Sequence, residues 1–316
     1  MNTQTDKKIY FAPMEGVGGY IYRNAHHDIF GGIEKYFSPF IYAGQNGIES
    51  MKETKDVLPE NNEGIPLVPQ LLANHAENFV KAAKFLHSLG YQEVNLNAGC
   101  PSKTVTTKHR GAGILLDLDE YDRFLYEVFE QDIDFDISIK TRTGYFKHEE
   151  FFELLEIYNK YPISELTIHP RTREELYNNH ANLEIFEYAV KNSKNKLCYN
   201  GDIVSYQDFM KISERFPEVD AYMVGRGFLK NPLLSDEIQG IESGFDKVIH
   251  FLNRLLEDYS KVMRDEKTLV FKLKEEMLYL TWDMPGDIVK SVKKMKSVAE
   301  FKSVLNKMRS YYRTQK

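Results

Sequence analysis

The chain is poor in cysteine: Cys100 and Cys198 are the only two in its 316 residues. So few cysteines argue against a disulfide framework or a cysteine-ligated zinc site, and they fit a reducing compartment. No run of 18 uninterrupted apolar residues occurs, so we expect no transmembrane helix. The polar start, MNTQTDKK, lacks the apolar centre of a signal peptide, so we expect a cytoplasmic protein.

The sequence also lacks a G-x-G-x-x-G motif after its first strand-like segment, which weakens the alternative of a doubly wound dinucleotide-binding sheet. It has instead eight short apolar segments without clean alternation, as expected for parallel strands that are buried on both faces. These segments are residues 9–13, 36–41, 66–71, 93–97, 136–140, 165–169, 196–200 and 221–225. Helical patterns lie between most of them, and eight strand–helix repeats predict a TIM (β/α)8 barrel.

Two of these helices have a recognisable start. Asn74, with Glu77 three residues later, is typical of a capping box and predicts a helix start after the third strand. Ser205 predicts the start of the helix after the seventh strand.

Beyond about residue 243 the strand signal disappears. Long helical patterns cover residues 245–263, 266–282 and 298–312. We therefore predict two domains, a barrel over residues 1–240 and a small all-helical C-terminal domain over residues 241–316.

Charge is distributed unevenly between these two parts. The net charge of −6 combines −11 in residues 1–240 with +5 in residues 241–316, and residues 286–316 hold nine basic and two acidic side chains. A basic tail on an acidic body indicates a polyanion that docks at one end, although a solvated, lysine-rich helix face gives the same pattern.

Polar side chains stand at the ends of almost all the predicted strands, where a TIM barrel builds its active site. We therefore expect a polar ligand over the barrel mouth. The residues at these strand ends are Met14, Gln70, Asn97, Lys140, His169 and Asn200.

Glycines follow the last two strands, in Asn200-Gly201-Asp202 and Gly225-Arg226-Gly227. Loops at this position of a barrel commonly bind phosphate through backbone N–H groups. A plain turn is the alternative, but the place after the eighth strand favours a phosphate site.

Three further side chains can carry chemistry. Cys100 lies on a loop between Gly99 and Pro101, where a protonated thiol can act as a general acid, whereas Cys198 fits a buried strand position. Lys140 needs a partner for its charge, either a carboxylate or an anionic ligand. His169 can donate a hydrogen bond to a cofactor, transfer protons or bind metal; no second histidine or carboxylate stands at metal-ligand spacing, so we expect no metal site.

Taken together, these segments resemble the tRNA-dihydrouridine synthase family. The matching motifs run in family order over residues 9–235, and residues 272–282 resemble the family's C-terminal domain. The motifs are YFAPMEGV at 10–17, PQL at 69–71, NLNAGCPSKTV at 95–105, SIKTRTG at 138–144, LTIHPRTREELY at 166–177, NGDI at 200–203 and VGRGFLKNP at 224–232.

The resemblance implies an FMN-binding barrel followed by a helical RNA-binding domain, with tRNA as substrate and NADPH, or NADH, as electron donor. NADPH reduces the flavin and leaves. A uridine is then flipped out of the RNA, takes a hydride from flavin N5 at C6, and is protonated at C5 by a cysteine. We expect a monomer.

The resemblance also implies roles for individual residues. Cys100 is the proton donor, Asn97 orients the uracil, and Arg171 contacts RNA or shapes the substrate pocket. The cofactor residues fall into three groups. Pro13 and Met14 lie along the flavin, and Gln70 hydrogen-bonds its ring. Lys140 holds the N1/O2 region of the ring, and His169 flanks the cofactor. The phosphate and the ribityl chain are surrounded by Asn200, Gly201, Asp202, Gly225 and Arg226.

The sequence departs from the family pattern at three places. Gly18-Gly19 replaces Thr-Asp, Pro170 replaces Gly, and Glu175 replaces Gln. Two other interpretations remain open: a small-molecule FMN reductase of the dihydroorotate dehydrogenase type, and an RNA-binding protein with a vestigial flavin site. The basic tail argues against the first, and the intact Cys100 and Lys140 argue against the second.

Overall fold

A computed structural model describes residues 5–48 and 50–314 of the chain. The strands are β1 (Lys8–Phe11), β2 (Lys35–Phe37), β3 (Ile41–Gly44), β4 (Gly47–Ile48), β5 (Leu67–Val68), β6 (Gln70–Leu72), β7 (Glu93–Ala98), β8 (Asp136–Arg142), β9 (Leu166–His169), β10 (Leu197–Tyr199) and β11 (Ala221–Val224).

The helices of the first 240 residues lie between and after these strands. They are α1 (Tyr20–Ile29), α2 (Met51–Val57), α3 (Ala76–Ser88), α4 (Lys103–Thr106), α5 (Leu118–Phe129), α6 (Glu150–Tyr158), α7 (Leu183–Asn192), α8 (Tyr206–Arg215), α9 (Arg226–Lys230) and α10 (Leu234–Ile238). The C-terminal helices are α11 (Phe245–Val262), α12 (Glu266–Leu280), α13 (Gly286–Lys294) and α14 (Val298–Thr314). Short 3₁₀ helices cover Pro59–Asn61 and Gly111–Leu116.

The sheet closes on itself, because β1 pairs in parallel with both β11 and β2. Two of the eight barrel strands are interrupted: β2 and β3 are halves of one strand, and β5 and β6 are halves of the next. Pro39 and Pro69 lie at these breaks, where a proline has no N–H to continue a ladder. The predicted TIM barrel is confirmed, with β4 as an added antiparallel hairpin on β3.

The barrel interior is filled by a small cluster of its own, separate from the main core between sheet and helices. Cys198 belongs to it and is fully buried, as its strand position predicted. The other members are Tyr10, Ala12, Phe37, Val68, Ala221 and Met223.

The C-terminal helices pack against the outside of the barrel. Helix α11 lies on α1, where Tyr22 meets Phe251 edge to face with ring centroids 5.2 Å apart. Buried residues of both parts form one continuous core. The three predicted helices are present; α13, which the helical patterns do not predict, is a fourth. The division at residues 240 and 241 stays a prediction.

The helix starts differ in how well the sequence predicts them. The Ser205 side chain accepts a hydrogen bond from the Asp208 backbone, so this cap is confirmed. The Asn74 cap is wrong, because α3 begins after His75 and the Asn74 side chain accepts a hydrogen bond from Arg110 instead. None of the described helices has the length and apolar character that crossing a membrane requires.

Candidate active site

A cavity of about 430 Å³ opens at the carboxyl ends of the barrel strands. It brings together all the predicted site residues except Arg171. The predicted residues that line it are Pro13, Met14, Gln70, Asn97, Cys100, Lys140, His169, Asn200, Gly201, Asp202, Gly225 and Arg226.

A chain of amide hydrogen bonds forms one wall. Asn97 Nδ2 donates to Gln70 Oε1 at 2.7 Å, and Gln70 Nε2 donates to Asn95 Oδ1 at 2.8 Å. Asn95 in turn donates to Ser138 Oγ at 2.8 Å. Each amide nitrogen carries two hydrogens, so Gln70 and Asn97 both keep one donor for a ligand.

Cys100 is held by its neighbours on three sides. Asn97 Oδ1 accepts from the backbone N–H groups of Gly99 and Cys100 at 3.0 and 2.8 Å, and Arg142 Nε donates to the Gly99 carbonyl at 2.9 Å. Ala112 N–H donates to the Cys100 carbonyl at 3.0 Å. Burial raises the pKa of the Cys100 thiol above its usual value, so the group stays protonated at neutral pH.

Lys140 lies in the cavity without a hydrogen bond or an ion pair to any described residue. It occupies the strand β8, where its neighbours on the same face, Ser138 and Arg142, carry no negative charge. Burial and the nearby Arg142 guanidinium lower the pKa of Lys140 to about 8. An unpaired, desolvated ammonium of this kind favours an anionic ligand.

His169 is neutral and has a defined tautomer. Burial holds the pKa of His169 well below its usual range, and the surrounding cations lower it further, Arg142 most strongly. Arg171 Nη1 lies 2.8 Å from His169 Nε2 and can only donate there, so Nδ1 carries the hydrogen. His169 therefore offers a hydrogen-bond donor from Nδ1.

Arg171 lies behind the cavity wall and not on it. Its guanidinium is buried and donates to both oxygens of Asp202, at 2.8 and 2.6 Å, and to His169. Its position favours support of His169 and Asp202 over direct contact with a substrate, and a contact with RNA stays a prediction.

The two glycine loops approach the cavity closely. A Cβ on Gly225 would lie 3.1 Å from the Met14 sulfur, and one on Gly201 would lie 2.5 Å from the Tyr199 hydroxyl. Arg226, at the first turn of α9, is the cation of this corner, 3.5 Å from Asp202. The two loops and the Arg226 guanidinium line the same corner of the cavity, an arrangement that suits an anion.

The cavity residues that were not predicted as site residues include Glu15, Phe40, Arg142, Tyr177 and Tyr279. Arg142 could have been found, because it lies two residues after Lys140 in one strand and so on the same face. Tyr177 is packed by two cations, with Arg226 4.6 Å and Arg142 5.3 Å from its ring centroid. Tyr279 comes from helix α12 and gave no sequence signal.

The departure at Gly18-Gly19 has a local explanation. Asp56 accepts from the Tyr20 backbone N–H at 2.7 Å and pairs with Arg23 at 2.8 Å, which also holds the Gly18 carbonyl. A Cβ on Gly19 would lie 3.3 Å from the Asp56 carboxylate, so this carboxylate packs closely against the loop at Gly19.

The charge of Glu175 is satisfied within its own loop. Its carboxylate accepts from the Thr172 backbone at 2.7 Å and lies 3.2 Å from His148 Nε2. It does not line the cavity. The carbonyl of Pro170 accepts from Asn182 N–H at 2.7 Å, which fixes the start of the same loop.

The fold is a (β/α)8 barrel with a polar cavity at the carboxyl ends of its strands, the place where enzymes of this fold have their active sites. The sequence model of the dihydrouridine synthase (Dus) family matches residues 10–315. The chain belongs to this family and is an enzyme of the dihydrouridine synthase type.

Relatives agree with this assignment, and a solved structure agrees with the fold. A probable tRNA-dihydrouridine synthase of Staphylococcus aureus (strain Mu50 / ATCC 700699) is 27% identical over 266 residues, 81% of this chain and 78% of the relative. Probable tRNA-dihydrouridine synthase 2 of Bacillus subtilis (strain 168) is 28% identical over 231 residues, 70% and 69% of the two chains. Morphinone reductase superposes with a TM-score of 0.52 at 12% identity, over 74% of this chain and 86% of its own, a likeness of fold alone.

Proposed function

We propose that this enzyme reduces a uridine of tRNA to 5,6-dihydrouridine, with FMN as cofactor and NADPH as electron donor. The observation that carries the proposal is the pairing, in one cavity of a Dus-family chain, of a protonated thiol at Cys100 with an unpaired ammonium at Lys140.

The cavity residues fit FMN on three counts. Lys140 supplies the missing counter-charge for the electron-rich N1/O2 edge of a flavin. The Nδ1–H of His169 and the free Nε2–H of Gln70 supply donors for ring heteroatoms. Gly201, Gly225 and Arg226 form the corner that suits a single phosphate.

When bound, FMN would supply the hydride that the uracil takes up at C6, with NADPH as the source of the electrons. The remaining work falls to the chain's own residues. Negative charge develops at C5 and O4 of the uracil, and the guanidinium of Arg142 and the free N–H of Asn97 face the cavity from the same side as Cys100.

Cys100 then donates the proton that C5 needs. Its thiol must be protonated for this step, and burial keeps it so at neutral pH. The three contacts to the Cys100 loop, from Asn97, Arg142 and Ala112, hold the donor in place without using the sulfur.

The helical part is proposed to bind the RNA. Six lysines at its end are exposed and form no ion pair with any described residue: Lys290, Lys293, Lys294, Lys296, Lys302 and Lys307. Lysines of this kind neutralise phosphates and release counterions. Withdrawal of a uridine from folded RNA requires such a second holding surface.

The test is direct assay of the purified chain. It should be yellow, release FMN and not FAD, and form dihydrouridine in unmodified tRNA with NADPH, as detected by mass spectrometry. A colourless protein that FMN cannot reconstitute would exclude the cofactor. A yellow protein that reduces or oxidises a free pyrimidine such as dihydroorotate, but leaves tRNA unchanged, would favour the small-molecule reductase.

A further inference from the structure

One ammonium group joins the helical part of the chain to the loop that follows the first barrel strand. Lys272 Nζ, on helix α12, donates to the backbone carbonyl of Gly16 at 2.5 Å. The two residues are 256 positions apart, and Gly16 belongs to the loop of residues 13–19, which carries the cavity residues Met14 and Glu15.

The Lys272 ammonium is itself fixed from the helical side. Glu276, one turn further along α12, lies 3.1 Å from Lys272 Nζ and also accepts from the hydroxyl of Tyr259 on α11. The Glu276 side chain is almost completely buried, and Lys272 is mostly so. A buried charge without a partner is costly, so Lys272 and Glu276 hold each other in one arrangement.

The same face of α12 reaches the cavity. Lys272, Glu276 and Tyr279 are spaced i, i+4 and i+7, which places them along one side of a helix. Tyr279 lines the cavity beside Met14 and Glu15. Lys272 thus stands where the helical part and the loop of residues 13–19 meet.

Turns within the loop and the bond from Arg23 to the Gly18 carbonyl hold its end, and Lys272 holds its tip at Gly16. The Met14 carbonyl accepts from the N–H groups of Val17 and Gly18, at 3.2 and 2.8 Å, and Gly16 adopts a positive φ of 81°. The turn therefore projects the Gly16 carbonyl outward, towards α12. On its other side, the loop places the Met14 sulfur against Gly225.

We propose that Lys272 is a positioning residue that holds the loop of residues 13–19 and helix α12 in register, so that Met14, Glu15 and Tyr279 shape one wall of the substrate cavity. The proposal rests on the proposed function, since the step that it affects is the reaction of the bound uridine. The effect that it assigns to Lys272 is on the reaction of tRNA with enzyme that is already loaded with FMN.

The experiment compares Lys272→Met with Lys274→Met in the FMN-loaded full chain. Both changes remove one positive charge from the same helix, but Lys274 forms no hydrogen bond or ion pair with a described residue, so a general loss of RNA attraction appears in both. Backbone hydrogen exchange in residues 13–19 should become faster in Lys272→Met alone. Single-turnover oxidation of the reduced flavin by tRNA should slow by about tenfold in that variant, as expected for a small misplacement of reacting groups.

Two further variants separate positioning from simple loss of stability. Lys272→Arg keeps a donor for Gly16 and should restore most of the rate. The double variant Lys272→Met/Glu276→Gln also removes the buried carboxyl group that has lost its counter-charge, so it should recover thermal stability but keep the slow reaction and the fast exchange. A double variant with the wild-type rate would reduce Lys272 to a stability residue and overturn the proposal.

The outcomes also distinguish this proposal from the proposed function. If tRNA does not oxidise the flavin of the wild type, the proposed function fails, while the exchange data still test the contact. If the wild type reacts and Lys272→Met matches Lys274→Met in both rate and exchange, the proposed function stands and the positioning role fails.

Discussion

Each end of the barrel holds a partly buried lysine among polar groups, but the two lysines differ in their partners. At the amino-terminal end, Lys35 lies 2.7 Å from Glu93 and 3.8 Å from Glu165, which also accepts from the Tyr10 hydroxyl at 2.9 Å. At the mouth, Lys140 has no partner among the described residues. Charges that satisfy one another serve stability, whereas an unsatisfied charge in a cavity is available for a ligand.

The pKa shifts of the two lysines follow this difference. Burial alone would lower the pKa of Lys35, but the carboxylates of Glu93 and Glu165 raise it above its usual value. Burial and Arg142 lower the pKa of Lys140 to about 8. The same residue type is thus locked in its charged form at one end and poised near its titration point at the other.

Substitution of the two cysteines compares the barrel mouth with the barrel interior, and the change at Cys100 should have the largest effect of all. Cys100→Ala should bind FMN and tRNA normally and be reduced by NADPH, but oxidation of its flavin by tRNA should slow by about 10²–10⁴-fold, because the C5 proton donor is removed. Single-turnover flavin oxidation measures this. In the wild type the rate should fall at high pH, as the thiolate forms above a pKa that burial has raised.

Cys198→Ala is the matched control for this change. Its thiol is buried inside the barrel, away from the cavity, so the reaction should proceed at nearly the wild-type rate. A selective loss in Cys198→Ala, or equal rates for Cys100→Ala and wild type, would contradict the assignment of the acid.

The phosphate corner should show the next largest effect. Arg226→Ala should weaken FMN binding by about 1.5–3 kcal/mol, or about 10- to 100-fold, if the guanidinium makes a charge-assisted hydrogen bond to the phosphate. Fluorescence titration of the released and rebound flavin measures this. Arg215→Ala is the control: its partner is Glu187 on the outer surface, and FMN affinity should not change.

The expected difference between Lys140 and Lys35 can be measured through FMN affinity. Lys140→Met should weaken FMN binding by about tenfold at pH 7, because it removes one charge-assisted hydrogen bond. In the wild type, FMN affinity should fall by up to about tenfold between pH 7 and pH 9, because the FMN-free Lys140, with a pKa of about 8, must take up a proton to bind. Titrations at both pH values should show no such change in Lys140→Met.

Lys35, at the amino-terminal end of the barrel, should affect stability and not FMN affinity. Lys35→Met should leave FMN affinity unchanged and lower the free energy of unfolding by about 1–3 kcal/mol, because Glu93 and Glu165 lose their counter-charge. Denaturant unfolding checks this. A loss of FMN affinity in Lys35→Met as large as in Lys140→Met would show that the two ends are not functionally distinct.

The smallest effect is expected far from both ends, at helix α13. Lys293→Ala/Lys294→Ala should weaken tRNA binding modestly and lower the slope of log affinity against log salt by about 0.7–0.9 for each phosphate that is no longer neutralised. Arg309→Ala/Arg313→Ala is the control, because both guanidinium groups lie near Asp246 and are partly neutralised. Equal slopes in the two variants would place the RNA surface elsewhere.

The barrel and most of its mouth could be predicted from local patterns. Eight buried segments mark the eight barrel strands, although proline interrupts two of them. Because the carboxyl ends of parallel strands converge, residues such as Gln70, Lys140 and His169 were expected to meet, and they do. The strand alternation of period two would have added Arg142.

Other features escaped the sequence because they depend on a choice between competing partners. Asn74 has the residue type of a helix cap, but its side chain bonds to Arg110, a residue 36 positions away. Arg171 follows the strand that ends in His169, yet Asp202 draws its guanidinium behind the cavity wall. A local pattern shows which groups can bond and not which partner is nearest.

The sequence by itself determined the fold class and the place of the glycine loops and of Cys100 at the barrel mouth, since each depends on short-range spacing or strand order. Only the tertiary structure decided how the helical part meets the barrel. The bond from Lys272 to Gly16 and the entry of Tyr279 into the cavity join segments more than 250 residues apart. Such contacts depend on how the helices dock on the barrel, which no periodicity within either part records.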